Sequence, residues 1–297
     1  MSRVFVLVFT KNICKQTKIS RVCINTVCKI PVLSYYIKGD IEMSTKTDLA
    51  KEIIDKISPD YAKKRSFFFK STEISEVLVE TEEESALFEK PKGRYVTIET
   101  DFPRFAFEKF DEEALAAAYE ISKMLPKSGD VLAVGIGNAL LTADSLGPLV
   151  SENLLAGEFF GRKLFSTVPG VFGRTGIEPE AFVFALAKKL SPSAVIIIDS
   201  LAAEEISHVC RSVQICDSGI SPGSGFGKAK AEISAATLGI PVIAVGTPTV
   251  TNIGEADFVS PNNIDFLVKR AAKLIACAVS LAVFPKAGID FIKGIIL

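Results

Sequence analysis

The stretch Val195-Ile-Ile-Ile-Asp199 decides the fold of this chain. A strand that is buried on both faces of a parallel sheet has such a continuous hydrophobic run. Ligands bind these sheets outside the carboxyl ends of the strands, so a carboxylate that ends the run lies where chemistry occurs. A second run, Val-Leu-Ala-Val at residues 131–134, leads through a glycine turn towards Asp144. Asp144 and Asp199 are therefore candidates for a matched acid and base.

Strand and helix patterns alternate on both sides of this stretch. Hydrophobic periodicity and capping signals predict strands at 131–135, 163–168, 194–199, 212–216 and 241–246, and helices at 145–156, 179–190, 203–208, 228–238 and 264–283. This alternation predicts an α/β fold in which helices flank a three-layer, mostly parallel sheet.

The region before residue 128 has a different pattern. A capped amphipathic helix from Thr47, strands at 74–80 and 94–99 joined by a turn at 90–93, and a helix at 111–125 predict an N-terminal α+β elaboration. We expect residues 1–42 to be a disordered extension or the product of a misassigned start codon, with a regulatory extension as the alternative. Residues 43–127 then pack on a catalytic core at 128–285, and 286–297 form a C-terminal tail.

Composition excludes several classes of function. The 297 residues are 48% hydrophobic and carry a net charge of −1, which gives no electrostatic footprint for nucleic acid or an anionic membrane. The six cysteines form no C-x-x-C pair, and the single histidine, His208, prevents a multi-histidine metal site within one chain. No apolar run approaches the roughly 20 residues of a membrane span. We expect a cytoplasmic protein with reduced thiols and with no metal or cofactor.

Each candidate site residue has a simpler alternative. Asp144 and Asp199 can each be a plain helix N-cap, and Asp217, after the apolar residues 213–216, is a third strand-end carboxylate. The loop with Gly223, Ser224 and Gly225 is either a substrate-facing cradle of backbone donors or an ordinary connection.

Other residues near these motifs do not point to one function. The turn at residues 135–138 begins like a dinucleotide fingerprint, but Leu140 occupies the position of its third glycine. Asn138 can instead bond loop backbone. His208 is interpreted as a surface or locally bonded residue, and the cysteines as small core residues.

The segment Gly135-Ile-Gly-Asn-Ala-Leu-Leu-Thr142-Ala-Asp144-Ser-Leu-Gly147-Pro resembles the G-x-G-N-x-x-x-T-x-D-x-L-G-P signature of the spore germination protease family. Further motifs in the same order begin at Pro169, Ile198, Gln214 and Gly239. The resemblance runs from about residue 47 to 285.

This resemblance implies an endopeptidase of endospore-forming bacteria that degrades small acid-soluble, DNA-binding spore proteins during germination. The family is assigned to atypical aspartic-type proteases, and its two catalytic aspartates align with Asp144 and Asp199. Asn138, Thr142, Asp217 and the 223–225 loop become candidates for binding substrate. The resemblance also implies zymogens, homotetramers, action in the spore cytoplasm, no direct contact with nucleic acid or membrane, and a core similar to that of hydrogenase maturation proteases.

The N-terminal region departs from the family pattern, and two alternative functions are considered beside the family's. Family propeptides precede a T-D-L-A segment, here at residues 47–50, and residues 1–42 do not resemble a family propeptide. One alternative is a metal-linked maturation endopeptidase, against which the single histidine argues. The other is a non-catalytic protein-binding module on the same scaffold.

Overall fold

The computed structural model describes residues 47–58, 61, 63–102, 109–220, 232–252 and 258–297. The predicted extension at 1–42, the glycine loop at 223–225 and residues 228–231 of the helix predicted at 228–238 lie outside the described residues. In the described part of that helix only Ala235–Leu238 is helical, because Ile233 forms an antiparallel bridge with Ile220 instead.

The described residues form one ten-stranded sheet with the order β1-β2-β3-β8-β9-β7-β4-β6-β5, and β10 pairs with β9. The strands are β1 Lys64–Phe69, β2 Thr72–Val79, β3 Gly93–Glu99, β4 Val131–Gly135, β5 Gly157–Phe159, β6 Arg162–Thr167, β7 Ala194–Ala203, β8 Ser212–Cys216, β9 Val242–Asn252 and β10 Phe258–Val259.

Helices connect and cover these strands. They are α1 Ala50–Ile57, α2 Glu82–Phe88, α3 Phe110–Met124, α4 Leu146–Asn153, α5 Phe172–Thr175, α6 Pro179–Leu190, α7 Ala235–Leu238, α8 Ile264–Val283 and α9 Ile289–Ile296, with 3₁₀ turns at Thr142–Asp144, Ile206–His208 and Pro285–Ala287.

The centre of the sheet is parallel and its wing is antiparallel. β6, β4, β7 and β9 run in one direction, which confirms the parallel α/β core. β8 pairs antiparallel with β9, and β3, β2 and β1 continue in antiparallel pairs, as the N-terminal elaboration. The sheet as a whole is therefore mixed.

Successive side chains of β7 pack alternately against helices on the two faces of the sheet, so the fold has three layers: helices, sheet and helices. Ile196 and Ile198 belong to the core cluster that α3, α4 and α8 complete, whereas Val195 and Ile197 pack with Val183 of α6 on the opposite face. Because successive strand side chains point to opposite faces, a wholly apolar strand requires helices on both sides. The predicted three-layer architecture is confirmed.

Several elements differ from their sequence predictions. β1 and α2 were not predicted; α2 begins with a capping box in which Thr81 and Glu84 bond each other's backbone. β7 and β9 extend past their predicted ends, to Ala203 and Asn252. The helix predicted at 203–208 is only a 3₁₀ turn. The segment interpreted as a C-terminal tail contains α9, whose Ile292 and Ile296 are buried.

Candidate functional site

The carboxyl edge of the parallel strands brings the start of the Asp144 loop next to Asp199. Gly135, the last residue of β4, pairs with Ile198 of β7, and the next backbone N–H, of Ile136, donates to Ile198 O at 2.8 Å. Asp199 follows directly and is half-buried; its Oδ1 accepts the N–H of Ser200 at 2.8 Å. β4 therefore ends beside Asp199.

The loop after β4 folds back on itself around Asp144. Asn138 N–H donates to both the backbone O and the Oδ2 of Asp144, each at 2.9 Å. Gly137 has φ +128°, and a Cβ there would lie 2.1 Å from Asp144 O. Only glycine permits this approach. The second glycine of the motif is therefore required for the backbone of Asp144 to pack against the residues that follow β4.

The other motif glycines place α4 against the sheet. A Cβ on Gly135 would lie 2.1 Å from Gly147 O, and a Cβ on Gly147 would lie 2.2 Å from Ile136 O. The backbone of the first turn of α4 thus touches the backbone at the end of β4. The spacing of the glycines in the motif is a packing requirement at this edge.

Neither aspartate is a plain helix cap, so both of those alternatives are wrong. α4 begins at Leu146 with Ser145 at its N-cap, and the Asp144 carboxylate bonds backwards to Asn138. Asp199 lies inside β7, which continues to Ala203.

The other residues of the Asp144 motif have local roles. Asn138 Oδ1 accepts the N–H of Leu140 at 3.1 Å, which confirms that Asn138 bonds loop backbone. Thr142 is exposed, and its carbonyl accepts the Ser145 hydroxyl at 2.8 Å. Thr142 therefore remains a candidate for contact with a ligand.

Asp217 does not lie at this edge, which corrects its grouping with the other strand-end acids. β8 runs antiparallel to β9, with Cys216 opposite Ala244, so the carboxyl end of β8 lies at the amino edge of the parallel strands. There Asp217 Oδ1 accepts the N–H of Arg94 at 2.7 Å. In the described structure this hydrogen bond joins the residue after β8 to the start of β3, at the end of the β3–β8 ladder.

His208 and the described cysteines do not join the aspartates. His208 is exposed, and its Nδ1 contacts Glu52 of α1, as expected of a locally bonded histidine. Cys210, Cys216 and Cys277 are buried, and burial raises the pKa of the Cys210 and Cys277 thiols to about 12. The described residues contain no cluster of three His, Cys, Asp or Glu side chains that could hold a metal ion.

Sequence reasoning missed one residue that supports the site. Thr249 of β9 is fully buried, and its hydroxyl donates to Ala143 O at 2.5 Å, within the 3₁₀ turn that carries Asp144. The sequence places Thr249 in the family motif that begins at Gly239 but gives it no role; the preceding Pro248, which cannot donate to a strand ladder, marks an irregularity in β9.

The fold is a three-layer α/β architecture whose sheet carries two aspartates at the carboxyl edge of its parallel strands, which is where proteins of this class bind their ligands. The family model of the germination protease, a peptidase family, matches residues 42–276. The germination protease of Priestia megaterium is 36% identical over 264 residues, which cover 77% of this chain and 68% of that protein. That of Clostridium perfringens is 37% identical over 193 residues, covering 60% and 59%. The chain belongs to the germination protease family, and the prediction of an endopeptidase is confirmed.

One solved structure is similar in part. A [NiFe] hydrogenase maturation protease, HycI, from Thermococcus kodakarensis KOD1 aligns with 54% of this chain and 98% of its own, at 18% identity and a TM-score of 0.38. In the part of the chain that the structure describes, no helix has the length and apolar character to cross a membrane.

Proposed function

We propose that this endopeptidase cleaves small acid-soluble spore proteins during germination, with Asp144 and Asp199 as the pair that activates water. The observation that carries the proposal is that the Asp144 loop leaves β4 beside Asp199 and folds back to the strand end. The family match supports the substrate class.

The chemistry follows from two carboxyl groups at one site. Close like charges disfavour double ionisation, so one carboxyl holds a proton near neutral pH while the other is ionised. The ionised group takes a proton from water as the water attacks the scissile carbonyl, and the protonated group donates to the leaving amine. The two groups would titrate as one unit.

The site also suits an extended protein substrate. Thr142 and its neighbour Leu140 are exposed on the loop that carries Asp144. We infer that this loop contacts substrate, and the 223–225 loop, which lies outside the described residues, stays a sequence-based candidate for the same role. Asp217 is not part of this proposal, because it lies at the opposite edge of the sheet.

Further parts of the proposal concern the assembly, the compartment and maturation. Phe68, Phe291 and Ile295 are 68%, 50% and 53% exposed, so they offer apolar surface for contacts between subunits of a homotetramer. Native mass spectrometry tests the tetramer.

The proposed place of action is the spore cytoplasm. N-terminal sequencing of the protein from cells tests whether a propeptide is removed.

The test of function is incubation with a purified small acid-soluble spore protein, followed by mass spectrometry. We expect discrete fragments from the wild-type protein, including in the presence of a chelator, and none from Asp199→Asn. An intact spore protein held in a stable complex would instead identify a binding module. Cleavage that chelation stops and metal restores would favour the metal-linked alternative.

A further inference from the structure

Three buried threonines alternate along the second half of β9, and each hydroxyl bonds a carbonyl on a different segment. Thr247 donates to Ser212 O at 2.6 Å, Thr249 to Ala143 O at 2.5 Å, and Thr251 to Glu204 O at 2.7 Å. All three side chains are at most 2% exposed. Only the middle bond reaches the turn that carries a candidate catalytic residue.

Thr249 occupies a special position in the strand. Leu201 of β7 pairs with Pro248 and Ala202 pairs with Val250, so Thr249 is the extra residue of a β-bulge. Bulges re-aim side chains next to active sites. Here the bulge interrupts the β7–β9 ladder. The Thr249 hydroxyl donates to Ala143 O, which lies outside that ladder, and the Ser260 hydroxyl donates to Thr249 O at 2.8 Å.

β9 also contacts Asp199 of the neighbouring strand β7. Gly246 pairs with Asp199, and a Cβ on Gly246 would lie 2.5 Å from Asp199 O. β9 therefore contacts both acidic elements within four residues: Asp199 through the ladder, and the Asp144 turn through the Thr249 hydroxyl.

We propose that Thr249 is a positioning residue for the candidate catalytic pair: its hydroxyl fixes the turn that carries Asp144 relative to the strand that carries Asp199. This inference rests on the function proposed above. Val has nearly the shape of Thr but no hydroxyl, so Thr249→Val removes the bond to Ala143 O and leaves the turn held by fewer contacts.

The kinetic test compares Thr249→Val with two matched variants of the full chain. A misplacement of about 1 Å can lower a rate by roughly 100-fold, so we expect Thr249→Val to lower kcat between about 10-fold and 100-fold with KM within about twofold. Thr249→Ser keeps the hydroxyl and should restore kcat. Thr251→Val loses a bond of the same kind on the same strand and should leave kcat unchanged.

The pH dependence separates positioning from a general loss of stability. A change in the spacing of two carboxyl groups changes their mutual repulsion, so the pH profile of kcat should shift in Thr249→Val and not in Thr251→Val. Equal melting temperatures for these two variants together with unequal kcat values would support the proposal.

A second readout does not depend on activity. The Asn138 N–H that bonds Asp144 O should exchange with deuterium faster in Thr249→Val than in Thr249→Ser or Thr251→Val. Wild-type kcat together with wild-type exchange in Thr249→Val would overturn the positioning role. If the wild-type protein cleaves no spore protein, the proposed function fails instead, and the exchange experiment still decides whether Thr249 fixes the turn.

Discussion

The parallel centre and the antiparallel wing of the sheet use acidic residues in opposite ways. In the centre, Asp144 and Asp199 stay half-exposed at the edge where the loops leave the strands. In the wing, Glu76 of β2 and Glu120 of the covering helix α3 are 1% and 0% exposed, and both bond the guanidinium of Arg94, at 2.6 and 2.5 Å.

Two features explain this difference: the direction of the strands, and whether a buried acid has a basic residue to pair with. The parallel strands end together at one edge, where side chains meet solvent and a ligand. The wing packs β2 and β3 under α3, so an acid there must be paired to be tolerated. In this sheet Asp144 and Asp199 are the candidates for catalysis because they lie where β4 ends, whereas Asp217 follows an antiparallel strand and lies at the opposite edge.

The largest expected effect is the loss of either central acid. Asp144→Asn and Asp199→Asn keep the shape of the side chain but remove its ability to exchange a proton, and general acid–base groups contribute roughly 100-fold to 10,000-fold. We expect cleavage of a spore protein to fall by at least about 1,000-fold with an unchanged circular dichroism spectrum.

The matched control is Asp217→Asn at the opposite edge. Its amide oxygen can still accept the Arg94 N–H, so activity should stay within about twofold of wild type. A comparable loss in this variant would mean that the two edges are not separated in function.

The next largest effect is expected from Gly137→Ala, which tests how tightly the Asp144 loop must close. The added Cβ would meet Asp144 O at 2.1 Å at a φ of +128°, so the loop must open. We expect kcat to fall by about 10-fold or more, measured on folded protein. Gly239→Ala is the control, because it also has positive φ but nothing within 4 Å of the added Cβ. It should lower stability by about 1 kcal/mol and leave kcat unchanged.

In the wing, the same kind of disruption should affect stability rather than catalysis. Arg94→Met removes the partner that Glu76 and Glu120 share. Each acid keeps a more exposed partner, Arg65 and Lys123 respectively. Breaking a buried pair costs about 3–5 kcal/mol when no partner remains, so we expect a loss at or below the lower end of that range. Urea denaturation measures the loss, and kcat of the folded protein should stay within about twofold.

Arg65→Met provides the comparison for this ion network. Arg65 also bonds Glu76, but its side chain is 68% exposed. Its removal should therefore lower the free energy of unfolding by less than about 1 kcal/mol. Equal losses in the two variants would contradict the distinction between buried and exposed pairs.

A further effect on stability, which depends on pH, concerns Glu113 of α3. Burial raises the pKa of this carboxyl to about 7 from 4.5, although the Asp101 N–H bonds it. Between these two pH values the unfolded chain has released the proton and the folded chain still holds it. Stability should therefore fall as the pH rises from 4.5 to 7 and level off above 7. At about 1.4 kcal/mol per pKa unit, the fall is limited to roughly 3 kcal/mol.

Thermal unfolding across this pH window measures the effect. Glu113→Gln should remove the decline, because the amide does not titrate. Glu112→Gln should retain it, because hydrogen bonds from Ser71 lower the pKa of that neighbouring carboxyl. A wild-type decline in Glu113→Gln would assign the pH dependence to another group.

The local hydrophobic pattern of the sequence predicted the parallel centre of the fold better than the antiparallel wing. The apolar runs gave β4 and β8, and the periodic pattern gave α6 and α8, with the bounds that the structure has. β1 was missed because Lys-Arg-Ser-Phe-Phe-Phe has no simple alternation, and its turn depends on Lys70 at φ +54°. The direction of β8 depends on how the chain crosses the sheet, which no local pattern records, and Asp217 was misplaced for that reason.

The site was predictable only where a motif records a local requirement. The glycines before Asp144 are visible in the sequence because backbone contacts require them. The family motif that begins at Gly239 includes Thr249, but its role was not predicted, because its bond joins residues 106 positions apart across a bulge. Capping explanations for the two aspartates could not be excluded until the lengths of β7 and α4 were known.

The most direct test of the central claim is a double-mutant cycle on the two aspartates. Rates of spore-protein cleavage are measured by mass spectrometry for wild type, Asp144→Asn, Asp199→Asn and the double variant. Groups that act as one catalytic unit have strongly non-additive effects, so the double variant should be no slower than the slower single variant. Single losses that are both small, or that multiply in the double variant, would show that these carboxyl groups do not work together.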